Sequence, residues 1–279
     1  MAGTYSDETT VEEPQTDNGL LTDRRVKWFG IAVAGLFTSA VLYLLYRILT
    51  DFVDYELMQA VFPRFVDAYV LVLQIFIISS VLSLIAGTLV GLGRVSRTRF
   101  TRSIATGYVE FFRGTPLLFQ LFIIYLGIPA FWRSSPQPFP IENWSFAAAV
   151  IGLTLNHAAY SGEAIKGGIT AVPDGQMEAA RSLGMSYIDS MREVILPQAA
   201  RNALAALGND QVILVKDTSL LTVIAVREIM SVFRNVNSNT FDAWTPIVLV
   251  ALAYLAITLP LGKIVRYLER RSAWGEGHE

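Results

Sequence analysis

Glu163, Asp210, Lys216 and Asp217 are ionisable residues set within strongly apolar stretches, with Tyr160, His157 and Asn209 close by in sequence. In hydrocarbon such groups are costly, so they mark a transport path, an ion relay or a pairing between helices. Asn209 and Lys216 are seven residues apart, as are Asp210 and Asp217, which predicts one polar helical stripe. That stripe is tolerable against a subunit interface or a water-filled path, and hard to tolerate against lipid. Lys216 and Asp217 are sequence neighbours and so do not face each other. Glu163 suits an ammonium group, because a desolvated carboxylate binds one strongly. A salt bridge to another helix is the competing role. His157 reads as a packing residue, with Asn156 beside it.

Covalent chemistry finds no foothold. The chain has no cysteine, so disulfides, thiolate catalysis and cysteine metal sites are excluded. Two histidines, His157 and His278, are too few for a zinc site. No H-E-x-x-H, G-x-S-x-G or paired catalytic carboxylates occur. Gly262-Lys263 lacks both the leading glycine and the following hydroxyl residue of a phosphate-binding loop. No bound cofactor is expected, and energy must come from partners. A net charge of -2 gives no nucleic-acid footprint.

The elements that must position these residues are membrane spans. Mean hydropathy of +0.44 and a 53% hydrophobic content belong to an integral membrane protein. Segments 28–49, 65–92, 115–131, 146–165 and 244–261 are each close to the roughly 20 apolar residues a span needs. Segment 204–226 is apolar but interrupted by Asp210, Lys216 and Asp217, and its shared polar face makes it the sixth. Arginine clusters follow the second span (Arg94, Arg97, Arg99, Arg102) and end the last (Arg266, Arg270, Arg271); Arg24 and Arg25 precede the first. The positive-inside rule makes these loops, and both termini, cytoplasmic. Trp28, Trp132, Trp144 and Trp244 fall at span ends, where aromatic belts form. Residues 1–27 open with five acids and no base before position 19, which reads as a disordered tail. No apolar core precedes a small-residue cleavage site there, so the first span is expected to be an uncleaved anchor. Gly87 and Gly91 permit close helix approach within the bundle. Arg113 is expected to pair with Glu110, Thr115 to cap the third span with Pro116 first in the helix, and 99–112 to be an interfacial segment.

Between the fourth and fifth spans lies a soluble-looking segment, 172–197. Pro173 suits a first helical position, helix formers run to Leu183, and Gly184 reads as a left-handed cap. Ser186 and Asp189 restart a helix that Pro197 is expected to end or kink. Glu178 and Arg181 share a face. Glu178, Ala179, Ala180, Gly184, Leu196 and Pro197 resemble the EAA-x3-G-x9-I-x-L-P loop of ABC importer permeases, with Val194 at the isoleucine position. Arg113-Gly114-Thr115-Pro116-Leu117-Leu118 and Lys216-Asp217-Thr218-Ser219-Leu220-Leu221 look like the polar amino-acid subfamily of histidine/glutamine/arginine type, and so does Ala159-Tyr160-Ser161-Gly162-Glu163, with Gly162 in place of alanine.

This resemblance spans roughly 65–270. It implies an all-α integral membrane fold: a five-helix permease core plus one extra N-terminal helix at 28–49. By resemblance the 172–197 loop docks into ATP-hydrolysing subunits, which use ATP and magnesium, and Glu178 and Gly184 couple their motion to the path. The implied partners are those ATPases, an extracellular or periplasmic solute-binding protein, a second permease subunit (a copy or a sister chain), a polar amino-acid substrate and the lipid bilayer. The competing reading is a secondary transporter that draws on an ion gradient through Asp210, Lys216 and Asp217. The missing inverted repeat counts against it.

Overall fold

The computed structural model describes residues 24–133 and 135–273, so most of the acidic tail, and His278, lie outside the described residues. All described elements are helical and none is a strand. The chain divides into two compact units, Met1–Val53 and Asp54–Glu279.

The first unit holds α1 (Arg24–Arg47), which continues through a wider turn at Ile48–Phe52. An Arg47–Asp51 ion pair one turn apart, and an Arg47 Nη1 bond to the Tyr43 hydroxyl at 3.1 Å, finish its last turns.

The second unit is built around two long helices. α2 (Tyr55–Arg94) starts at Asp54, whose side chain accepts from the amides of Glu56 and Leu57 at 2.9 and 3.0 Å. It begins ten residues before the expected start and carries Pro63 within its early turns. At 40 residues it is about 60 Å long, twice the thickness of a hydrocarbon core, so it tilts or projects. Its buried stripe changes character along its length. Large apolar residues (Phe65, Val72, Ile75) give way to Ser79, Ser83, Gly87 and Gly91.

That small-residue half meets α5 (Trp144–Thr170), the central helix of the unit. A Cβ on Gly87 would lie 2.5 Å from the Ser161 Cβ, and one on Gly91 would lie 2.9 Å from the Gly162 carbonyl. The two backbones approach as closely as in small-residue packing elsewhere in membranes, here inside one chain. Gly162 fits the same contact: a Cβ there would be 2.8 Å from a Val90 methyl, so Val90 occupies the space an alanine would need.

Between α2 and α5 come α3 (Arg99–Gly114) and α4 (Leu117–Trp132), which meet at a 104° bend. After α5 follow α6 (Asp174–Ser182), a short helical turn Tyr187–Asp189, a widened turn Ser190–Ile195, and α7 (Leu196–Asp217). The helix stops at Asp217. A tight 3-10 turn, Thr218–Ile224, and left-handed Ala225 (φ 61°) divide the expected 204–226 span. α8 (Ile229–Thr240) is capped by buried Glu228, which accepts from Met230 and Ser231 amides at 2.7 Å. α9 (Trp244–Ala273) closes the unit.

Among the described residues, Val26–Phe52, Tyr55–Arg94 and Trp244–Arg271 are long and apolar enough to cross a membrane, and the bent pair α3–α4 adds a fourth only when it is counted as one broken span. α5 and α7 carry more polar and small residues than a lipid-facing span. α5 is walled in by α2, α3, α4 and α7, so it needs less apolar surface of its own.

Candidate functional site

The loop after α5 folds into a stiff elbow. α6 begins at Asp174, with Pro173 as its cap residue rather than its first helical residue (ψ 137°). Its end is a paired-bond cap: the Met185 amide donates to Ala180 O at 3.2 Å and the Gly184 amide to Arg181 O at 3.1 Å. Gly184 adopts φ +84°, as the left-handed cap requires. Arg181 turns its guanidinium to Met185 O at 2.6 Å rather than to Glu178, and the Ser182 hydroxyl donates to Glu178 O at 2.9 Å. Ser186 Oγ accepts from the Asp189 amide at 3.2 Å and restarts the chain.

Pro197 does not end the second arm. It sits in the first turn of α7, and the widened turn before it absorbs the missing donor. Val172, Ile195 and Ala199 bury together with Met177, Met191 and Val194, and Gln198 bridges to Gln176 at 3.3 Å. Ala180 is buried, whereas Glu178 and Ala179 are exposed. At the bend Leu183 is 85% exposed and Ile188 73%. Leu196 is half-buried, so the arms are braced and only the tip is free.

A second cluster lies inside the bundle. His157 is fully buried. Its Nδ1 is 2.9 Å from Asp210 Oδ1, and its Nε2 is 3.3 Å from Asp217 Oδ2 but poorly aligned for a hydrogen bond. Ser161 Oγ donates to Asp210 Oδ2 at 3.3 Å. The four polar residues of α7 therefore form two stripes, not one. Asp210 and Asp217 turn toward α5, while Asn209 and Lys216 are exposed, a 100° step around the helix. A cavity of about 430 Å³ is lined by Arg113, Asn156, His157, Tyr160, Asp210 and Asp217, among others.

The family model for the binding-protein-dependent transport system inner membrane component matches residues 79–274. The chain belongs to that family. It is the multi-pass permease subunit of an ABC transporter, a family that works with separate ATPases and substrate-binding proteins. It is 34% identical to the nopaline transport system permease protein NocM of Agrobacterium fabrum over 77% of this chain and 90% of that one. It is 34% identical to the arginine transport system permease protein ArtQ of Bacillus subtilis, over 75% and 92%. It is 36% identical to the probable glutamine ABC transporter permease protein GlnM of the same organism, over 75% and 94%. The crystal structure of an amino acid ABC transporter with histidines superposes with a TM-score of 0.70 at 34% identity, covering 78% of this chain and 99% of that one. The MetNI methionine ABC transporter, at 18% identity and a TM-score of 0.59, shares the fold.

In this permease Glu163 is not a free carboxylate. Arg94 of α2 binds it, Arg113 of α3 reaches it at 2.9 Å, and Lys166 stands 3.7 Å away. A substrate ammonium would compete with three resident cations for it. Arg113 thus pairs with Glu163 and not with Glu110, and its guanidinium also lies 5.3 Å from the Tyr160 ring. Thr115 does not cap α4. Its hydroxyl donates back to Phe111 O at 2.8 Å and accepts from Gln120 Nε2 at 2.9 Å.

Gln120 was not singled out from sequence, yet it holds the bend. Its amide also donates to Phe112 O at 2.8 Å, and Asn156 Nδ2 donates to Gln120 Oε1 at 2.9 Å. The bonds to Phe111 O and Phe112 O satisfy carbonyls at the end of α3. Tyr108 Oη donates to Leu155 O at 2.6 Å and fastens the same helix to α5.

Proposed function

We propose that this permease moves a polar amino acid inward, with the elbow formed by α6 and the start of α7 carrying ATPase motion to the path. The observation that carries this reading is the build of the elbow. Two short arms share a small core and a left-handed glycine joint, and Leu183 and Ile188 stand uncovered at the tip. A braced helix pair transmits displacement, whereas a flexible loop would absorb it. Glu178 and Gly184 couple the stroke, and Ala179, Ala180, Leu196 and Pro197 shape the elbow. The ATPases on that side hold ATP and magnesium. The elbow, the arginine cluster of Arg94 to Arg102 and both termini then lie in the cytoplasm.

The substrate class rests on the relatives, whose names give nopaline, arginine and glutamine transport. The cavity agrees with that class. About 430 Å³ is within the range of small-molecule sites, and its wall carries the carboxylates Asp210 and Asp217 as well as the Arg113 guanidinium, which lies beside Tyr160. Carboxylates suit an ammonium and a guanidinium suits a carboxylate, which together match a zwitterion. The exposed face of α7 runs Asn202, Ala205, Ala206, Asn209, Ile213 and Lys216. That polar and small-residue face is expensive in lipid, so a second permease subunit covers it and shares the path. A solute-binding protein outside the cell delivers the substrate.

The test is uptake of a labelled amino-acid panel by proteoliposomes that hold the whole complex. Uptake should need ATP on the elbow side and proceed without an ion gradient. Uptake driven by a gradient alone would favour a secondary transporter.

A further inference from the structure

We infer that the cavity lined by α3, α5 and α7 selects a neutral polar amino acid over a cationic or an anionic one, and that His157 sets this preference by holding a positive charge between Asp210 and Asp217. The inference rests on the amino-acid reading above and names the substrate class within it. Three observations carry it.

The first is the setting of His157. The ring is buried, and both its nitrogens face carboxylate oxygens, Nδ1 at 2.9 Å from Asp210 Oδ1 and Nε2 at 3.3 Å from Asp217 Oδ2. A bare ring nitrogen points a lone pair at such an oxygen and repels it, whereas an N–H attracts it. A neutral imidazole has one N–H, so it would suit one carboxylate and oppose the other. The doubly protonated ring suits both. Among the described residues no other cation pairs with either carboxylate. Lys216 lies on the exposed stripe of α7, and Arg113 pairs with Glu163.

The second is the balance of charge on the wall. Besides Tyr160, the ionisable residues that line the cavity are Arg113, His157, Asp210 and Asp217. The two cations cancel the two carboxylates. A wall without net charge complements an amino acid without net charge, whose ammonium goes to a carboxylate and whose carboxylate goes to Arg113. A cationic side chain would need a further carboxylate, and Asp210 is already held by His157 and Ser161. An anionic side chain would need a second guanidinium.

The third is the company of Arg113. Arg94, Arg113 and Lys166 all stand at the single carboxylate of Glu163. The excess charge there is positive, so it repels a cationic side chain. It also leaves Arg113 available to a substrate carboxylate, because Arg94 still holds Glu163.

The test leaves out the solute-binding protein, so that only the membrane cavity selects. The permease–ATPase complex is placed in nanodiscs, and equilibrium binding of labelled glutamine, arginine and glutamate is measured. Glutamine should bind about tenfold or more tightly than either of the others, the worth of one unbalanced charge in a desolvated site. His157→Gln leaves the wall with a net negative charge and should lower the glutamine-to-arginine affinity ratio about tenfold. Asp217→Asn alone should raise that ratio about tenfold, and it reads the same charge balance if His157→Gln fails to assemble. The two substitutions together restore the balance, and the ratio should return to within about twofold of the unsubstituted complex. A histidine that merely packs would not be rescued by removing its neighbour's charge. An unchanged ratio in either single variant would overturn the role given to His157. Tighter binding of arginine or glutamate by the unsubstituted complex would overturn the substrate class. Binding of none of the three, where the full assembly takes up amino acids with ATP, would overturn this inference and leave the importer reading standing. Absence of ATP-driven uptake of any amino acid would overturn both.

Discussion

Asp210 is held on two sides, by His157 and by Ser161, and still borders the cavity. Such a carboxylate is aimed rather than mobile. Asp210→Asn keeps its shape and removes its charge. The complex should assemble normally, and KM for a cationic or zwitterionic amino acid should rise about tenfold, the worth of one modest charged contact. Transport assays on proteoliposomes read this directly, and an unchanged KM would take Asp210 off the path. Gly184 makes a sharper residue-scale case. At φ +84° an alanine pays about 1–2 kcal/mol, which a braced loop can bear. A proline is fixed near −65° and cannot form this cap. Gly184→Ala should retain most uptake, and Gly184→Pro should insert but abolish it.

At the scale of elements, the α2–α5 contact sets how closely the bundle packs. Gly87→Leu puts a branched side chain where even a Cβ would meet Ser161 at 2.5 Å. Forced separation of that kind costs about 1–3 kcal/mol. The purified complex should therefore melt several degrees lower, measured by thermal unfolding in detergent. Gly107→Leu, with open space around its Cβ, is the matched control.

The glycines of this contact were legible in sequence because G-x-x-x-G has few structural uses. The loop elbow was legible for a similar reason, since prolines and glycines fix backbone angles locally. The division of 204–226 was not. Apolar residues return at Leu220 and reach Val226, and only the burial of Leu221 and Ile224 within the 3-10 turn shows where the helix stops. The two stripes of α7 were merged because seven-residue spacing sets a face but not which neighbour lies against it. Arg94 with Glu163, 69 residues apart, and Gln120 with Asn156 are long-range pairs that no local pattern announces.

For the whole molecule, the exposed polar face of α7 predicts an assembly. Ile213→Cys, on that face, should react with a water-soluble thiol reagent in the assembled transporter and remain shielded from lipid-borne quenchers. The reverse pattern would place the face in lipid. The central claim is that the elbow transmits work between ATPase and path. It is tested most directly by measuring binding-protein-stimulated ATP hydrolysis in proteoliposomes carrying Leu183→Asp with Ile188→Asp. The account predicts that stimulation falls to the basal rate while the permease still inserts and folds. Stimulation equal to that of the unsubstituted complex would contradict it.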